Sequence, residues 1–236
     1  MKNRYTQKIT PVLSVNDWPE QERPLYKICE RGSKALSDAE LLSLFIGKGT
    51  KDKTVVDLAR DILKEFGGLR PLLNADQSTL TKHTGIGATT FARLQAILEL
   101  SRRHLLETLQ KDDCLNSPHL TRQYLSAQLR DEKREVFAAL WMDNQHRIIC
   151  YEILFTGTID SAAIYPREVV RRCLELNATA VIFAHNHPSG VAEPSQADRK
   201  ITERLQATLK LIDVKVLDHF VVGDGCVVSF AERGWL

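Results

Sequence analysis

The passage that most constrains this chain runs from an apolar stretch, Ala178-Thr179-Ala180-Val181-Ile182-Phe183-Ala184, straight into His185-Asn186-His187-Pro188-Ser189-Gly190. An apolar run of that length, closed by proline and glycine, predicts a buried strand over 178–184. Side chains two apart on a strand share a face, so His185 and His187 point the same way. Downstream, Ser195-Gln196-Ala197-Asp198 has the form of a capping box and predicts a helix over 195–211. Asp198 then sits in the first helical turn and leans back towards the strand end. Taken singly, a strand-end histidine and a capping serine or aspartate are ordinary. Together, two imidazoles and a carboxylate make three ligands for a divalent metal. Three protein ligands with an open fourth position are the arrangement of a catalytic zinc site.

The rest of the composition sets bounds on this reading. With 236 residues, 43% hydrophobic and 26% charged, the chain has enough material for one large or two small globular domains. Met1-Lys2-Asn3-Arg4-Tyr5-Thr6-Gln7 carries no apolar core of a signal peptide, and no apolar run approaches the ~18 residues of a membrane span. The cysteines at 29, 114, 150, 173 and 226 are scattered, without a C-x-x-C pair. They fit a reducing cytoplasm and speak against a thiolate zinc site. The expectation is a cytoplasmic protein with no membrane partner. Net charge is uneven: residues 1–110 hold 17 Lys/Arg against 13 Asp/Glu, residues 111–236 hold 15 against 17. A mildly basic first lobe is compatible with nucleic acid without demanding it.

Periodicity divides the chain in two. Residues 1–23 show no sustained pattern and read as a flexible arm. Ser37-Asp38-Ala39-Glu40 is a capping box whose helix ends at Gly47-Lys48-Gly49. A second helix spans 54–66 and stops at Gly67-Gly68. A short helix near 76–82 leads to Gly85-Ile86-Gly87, and a long one runs over 88–107. The polar stretch 108–117 reads as a linker. Ser117-Pro118 then opens a helix to about 130. After it come a hairpin (Val136–Met142, turn, Arg147–Phe155), a helix over 166–177, the 178–184 strand, the 195–211 helix, and strands near 213–222 and 227–230. The domains expected are therefore a helical one over 24–107 and an α/β one over 118–236.

His-x-His, seven residues, Ser, two residues, Asp is similar to the signature of the JAMM (MPN+) metalloprotease family. Tyr165-Pro166-Arg167-Glu168-Val169-Val170, Glu193-Pro194-Ser195 and Val216-Leu217-Asp218-His219 further resemble its bacterial RadC-type (UPF0758) branch, over roughly 24–236. The string His185-Asn186-His187 is not an HNH nuclease motif, whose residues are dispersed along a ββα unit. The resemblance implies a cytidine-deaminase-like α/β domain with a mixed sheet. It also implies one Zn²⁺ held by His185, His187 and Asp198, and hydrolysis of a peptide or isopeptide bond in a protein or peptide substrate. It assigns the general base to a glutamate on an early strand, here Glu135, with Glu132 the competitor in the charged run 130–134. It gives Ser195 the role of hydrogen-bond donor to the oxyanion. Asn186 stands where the eukaryotic deubiquitinating branch usually has Ser or Thr. Glu193 reads as a solvated loop carboxylate, and Asp218 and His219 as strand-end residues.

Thr84-Gly85-Ile86-Gly87 resembles the hairpin of a helix–hairpin–helix module. Gly85 and Gly87 there let the backbone approach a DNA phosphate at a helix N-terminus, a contact with little sequence information. Ala88-Thr89-Thr90 lacks the lysine often found at that place, and a tight helix–helix turn explains the glycines equally well. Two functions stay open: a zinc peptidase with an accessory helical domain, and a DNA-associated adaptor whose JAMM-like domain is mainly a scaffold.

Overall fold

The computed structural model describes residues 14–111, 118–157 and 164–236. They fall into two compact units divided within one long helix, at Glu99/Leu100.

The first unit is helical: α1 (Pro24–Arg31), α2 (Asp38–Ile46), α3 (Val55–Phe66), α4 (Leu69–Leu73), α5 (Gln77–Leu80) and the start of α6 (Ala88–Lys111). Local chemistry sets these boundaries. The Ser37 hydroxyl accepts from the Glu40 amide while the Glu40 carboxylate accepts from the Ser37 amide, and Thr54 caps α3 through the Asp57 amide. Gly47 and Gly67 stop α2 and α3 at φ +84° and +80°. Leu42, Ile46, Val56, Ala59, Ile62, Leu80, Ile86 and Leu94 form the core. Val15 and Trp18 pack against it, so packed structure reaches back into residues read as an arm; residues 1–13 lie outside the described ones. The helix α1 was not expected, although Pro24 at its first position and Gly32 at φ +77° are ordinary start and stop signals.

The second unit adds α7 (Pro118–Leu129), β1 (Val136–Met142), β2 (Ile148–Thr156), α8 (Pro166–Glu175), β3 (Ala180–Asn186), α9 (Gln196–Lys210), β4 (Lys215–Val222) and β5 (Val227–Ser229). The sheet order is β2-β1-β3-β4-β5. Only β3 and β4 run parallel, so the sheet is mixed as expected. Strand periodicity sorts the core onto two faces. Val136, Ala138, Leu140 and Met142 face α7 and the end of α6; Phe137, Ala139 and Trp141 face α8 and α9. Leu109 is fully buried in the first of these layers, and its burial carries α6 through Thr108–Lys111, residues read as linker. Residues 112–117, the rest of that stretch, lie outside the described ones. No helix among the described residues is long and apolar enough to cross a membrane.

Candidate metal centre

β3 is buried along its whole length and shares the α9 face of the sheet through Val181 and Phe183. Two residues further, His185 emerges on that face at the start of α9, fully buried, with the Phe137 ring stacked 6.4 Å away. His187 follows just past the strand, its N–H donating to the Val222 carbonyl at 2.9 Å. Across the loop, Ser195 caps α9. Its hydroxyl accepts from the Asp198 amide at 3.1 Å, and its own amide donates to Asp198 Oδ2 at 2.6 Å. The reciprocal pair turns the Asp198 carboxylate back over the helix end.

Ligand-capable atoms of Glu135, His185, His187 and Asp198 all lie within 4.8 Å of one another. His185 Nε2 is 3.1 Å from His187 Nε2 and 3.3 Å from Asp198 Oδ1; His187 Nε2 is 3.5 Å from Asp198 Oδ2. Glu135, half-buried, sits one residue before β1, where its carbonyl accepts from the Gly157 amide at 2.8 Å. The competing Glu132 is exposed and contributes no atom to the cluster; its backbone carbonyl accepts from Asn186. Ser195 is exposed at the mouth of the loop, and among the described residues no acceptor takes its hydroxyl proton.

The donor set fits a cation. The Val191 carbonyl lies 2.8 Å from His187 Nδ1. A carbonyl can only accept, so Nδ1 carries the proton and a neutral His187 presents a bare Nε2 to the cluster. Lone pairs converging from two imidazoles and a carboxylate repel one another unless positive charge stands between them. The protonation equilibria agree. Burial acts to raise the Asp198 carboxyl, but the rings of His185 and His187 set against it, with help from Ser195, hold it far below the usual carboxylate range. The Asp198 carboxylate beside it makes His187 readier than an ordinary histidine to take up positive charge, against the effect of burial, with the Val191 carbonyl and Glu135 adding to this.

A residue read as an ordinary strand end proves central. His219 on β4 is fully buried, and its Nε2 lies 2.8 Å from His185 Nδ1. Burial, and then the neighbouring His185, push its imidazole well below the ordinary range, so it is neutral. Thr202 of α9, also buried, lies 2.6 Å from the other ring nitrogen. The sequence signal was its place in an apolar strand, Val216–Val222, with no charged partner adjacent on its face. Asp218 instead braces the C-terminal turn, accepting from Ser229 Oγ at 2.6 Å and the Ala231 amide at 3.0 Å. Glu193 is exposed but ion-paired with Arg233 through two contacts of 2.6 Å.

Gly85 and Gly87 lie in the first unit, in the turn between α5 and α6. Gly85 has φ +93°, and a Cβ there would come within 2.7 Å of Leu58 Cδ2, so a packing reason accounts for it. A Cβ at Gly87 would meet nothing within 4 Å.

Comparison with known proteins agrees with this geometry. Residues 115–235 match the family of RadC-like JAB domains, and residues 15–92 match the UPF0758 N-terminal family. A UPF0758 protein of Cellvibrio japonicus is 58% identical over 224 residues, covering 95% of this chain and all of that protein. Those of Chromohalobacter salexigens and Aeromonas hydrophila are 59% and 57% identical over the same coverage. With both parts matched and relatives this similar along their full length, the chain belongs to the UPF0758 family and carries a RadC-like JAB domain.

Proposed function

We propose that the chain is a metal-dependent hydrolase that cleaves a peptide or isopeptide bond. The observation that carries this reading is the convergence of two histidines, an aspartate and a separate glutamate within 4.8 Å. His185, His187 and Asp198 would hold the ion, with Zn²⁺ the favoured occupant for a nitrogen-rich set of three. When bound, such an ion polarises a carbonyl and acidifies water. The chain's own groups do the rest. Glu135 takes the proton of the attacking water and returns it to the leaving nitrogen. Ser195 donates its free hydroxyl proton to the carbonyl oxygen as charge develops there. Phe137 and the buried wall of β3 exclude water behind the histidines, which strengthens each electrostatic contact.

Elemental analysis of chelator-free protein tests the reading, wild type beside His185→Ala and Asp198→Ala. About one zinc per chain is expected in the wild type and little in either variant. Wild-type protein that rejects added zinc would sink the hydrolase. With the metal established, Glu135→Gln is expected to keep it and lose peptide hydrolysis.

A second reading concerns the first unit alone: a DNA-backbone contact at the Gly85–Gly87 turn. It is favoured by the open space beside Gly87 at the start of α6. Binding to duplex DNA that weakens with salt and survives His185→Ala would support it; no binding at low salt removes it.

A further inference from the structure

The cluster contains a chain of hydrogen bonds whose direction can be worked out from one end. The Thr202 hydroxyl lies 2.6 Å from the Asp198 backbone carbonyl and 2.6 Å from His219 Nδ1. A hydroxyl has one proton. Two oxygens 2.6 Å apart need a proton between them, and a carbonyl has none to give, so Thr202 donates to Asp198. Towards His219 the same hydroxyl must therefore accept, which places the His219 proton on Nδ1. His219 is fully buried and, among the described residues, its ring nitrogens meet only Thr202 and His185 and no carboxylate, so it holds that one N–H; its Nε2 is bare and can only accept. Its neighbour at 2.8 Å, His185 Nδ1, must then donate. With its proton committed to Nδ1, His185 turns a bare Nε2 towards His187 and Asp198.

We propose that Thr202 and His219 are positioning residues which lock His185 in the tautomer that can ligate a metal, before any metal arrives. The proposal rests on reading the cluster as a metal centre. His187 reaches the same state by a shorter route, through the Val191 carbonyl. His185 is fully buried and has no carbonyl or carboxylate at Nδ1, so another imidazole supplies the acceptor. An imidazole is ambivalent, being able to offer either nitrogen. The hydroxyl behind it removes that ambivalence, and because it bonds the backbone of Asp198 itself, the relay also ties His185 to the helix turn that carries the third ligand.

The test uses the full-length chain with its histidine rings labelled with ¹⁵N, stripped of metal by chelator. Two-bond proton–nitrogen correlation spectra read the tautomer of each ring, and chelator competition reads zinc affinity. In the wild type His185 and His219 are expected to be protonated on Nδ1. Thr202→Val keeps the shape of the side chain and removes the hydroxyl. It is expected to move His219, and with it His185, towards the Nε2-protonated form, and to weaken zinc binding by about 10- to 100-fold. Thr202→Ser restores both. A wild-type His185 protonated on Nε2, or a Thr202→Val chain that binds zinc as tightly as wild type, overturns the relay. A wild-type chain that takes up no zinc overturns instead the metal reading on which it rests.

Discussion

The side-chain oxygen of Asn186 accepts a hydrogen bond from the Val136 backbone N–H at 2.8 Å. The residue between the two cluster histidines thereby holds the first residue of β1. Its amide nitrogen donates to the Glu132 and Arg134 carbonyls, both at 3.1 Å. All three contacts grip the backbone around Glu135. Neighbouring side chains of a strand point to opposite faces, so while His185 and His187 face the cluster, Asn186 is free to anchor the Glu135 segment from the other side.

Asn186→Ala should therefore separate ligation from proton transfer. Removing the amide leaves the buried Val136 N–H without its acceptor, at a cost of about 1–3 kcal/mol. Zinc content should stay near that of wild type while turnover falls, because Glu135 loses its support and the three ligands do not. Elemental analysis beside a peptide-hydrolysis assay checks this; loss of metal in parallel with rate would contradict it.

Gly223→Ala should damage the loop that presents His187. A Cβ at this position would lie 2.5 Å from the Gly190 carbonyl oxygen and 2.7 Å from the Ala192 amide nitrogen, both of them backbone atoms that cannot rotate away. The loop must shift, and the Asp224-to-Gly190 bond of 2.7 Å with it. Overpacking of this kind costs roughly 1–3 kcal/mol. Urea unfolding should report that loss, and zinc affinity should fall alongside it.

Ser195→Ala removes a helix cap and, on the proposed mechanism, an oxyanion donor. The cap is worth about 1 kcal/mol. An oxyanion donor is worth about 10²–10³ in turnover. A rate loss confined to what the small stability loss explains would deny Ser195 its catalytic part. Steady-state kinetics on protein shown to be fully folded decides between the two.

The first unit carries a pH-dependent contact of its own. Burial acts to raise the Glu40 carboxyl, but Lys27, whose Nζ lies 2.5 Å away, and the Ser37 amide and hydroxyl together hold it below 4.5. A carboxyl with a depressed folded value binds fewer protons folded than unfolded. Its stabilisation is complete above the unfolded value of about 4.5 and is lost as pH falls through the window beneath it. The stability gap between wild type and Glu40→Gln should thus be constant near neutrality and shrink below that point, as read by urea unfolding across a pH series.

The parts of this molecule that announced themselves were those whose cause is local. Ser37, Thr54 and Ser195 cap helices through atoms three residues away, and Gly47 and Gly67 end them through their own backbone. The spacing of His185, His187 and Asp198 was legible because one strand and one helix turn create it. His219 was not, because its meaning comes from β4 pairing in parallel with β3 and from Thr202 on the helix between them. Leu109 misled for the same reason: a leucine in a polar run extends a helix only if a sheet lies there to bury it. Glu135 needed its likeness to a family, since nothing in residues 130–136 states which carboxylate the β1–β3 pairing delivers to the histidines.

β3, α9 and β4 are consecutive along the chain, and His185, His187, Asp198, Thr202 and His219 all fall within that one strand–helix–strand segment. Glu135 alone is brought by a strand from earlier in the chain. On the proposed function, capture of the ion and use of the ion are thus written in separate stretches of sequence. Mutational drift at the head of β1 would turn such a chain into a metal carrier without chemistry, whereas drift in the later segment would extinguish both properties at once.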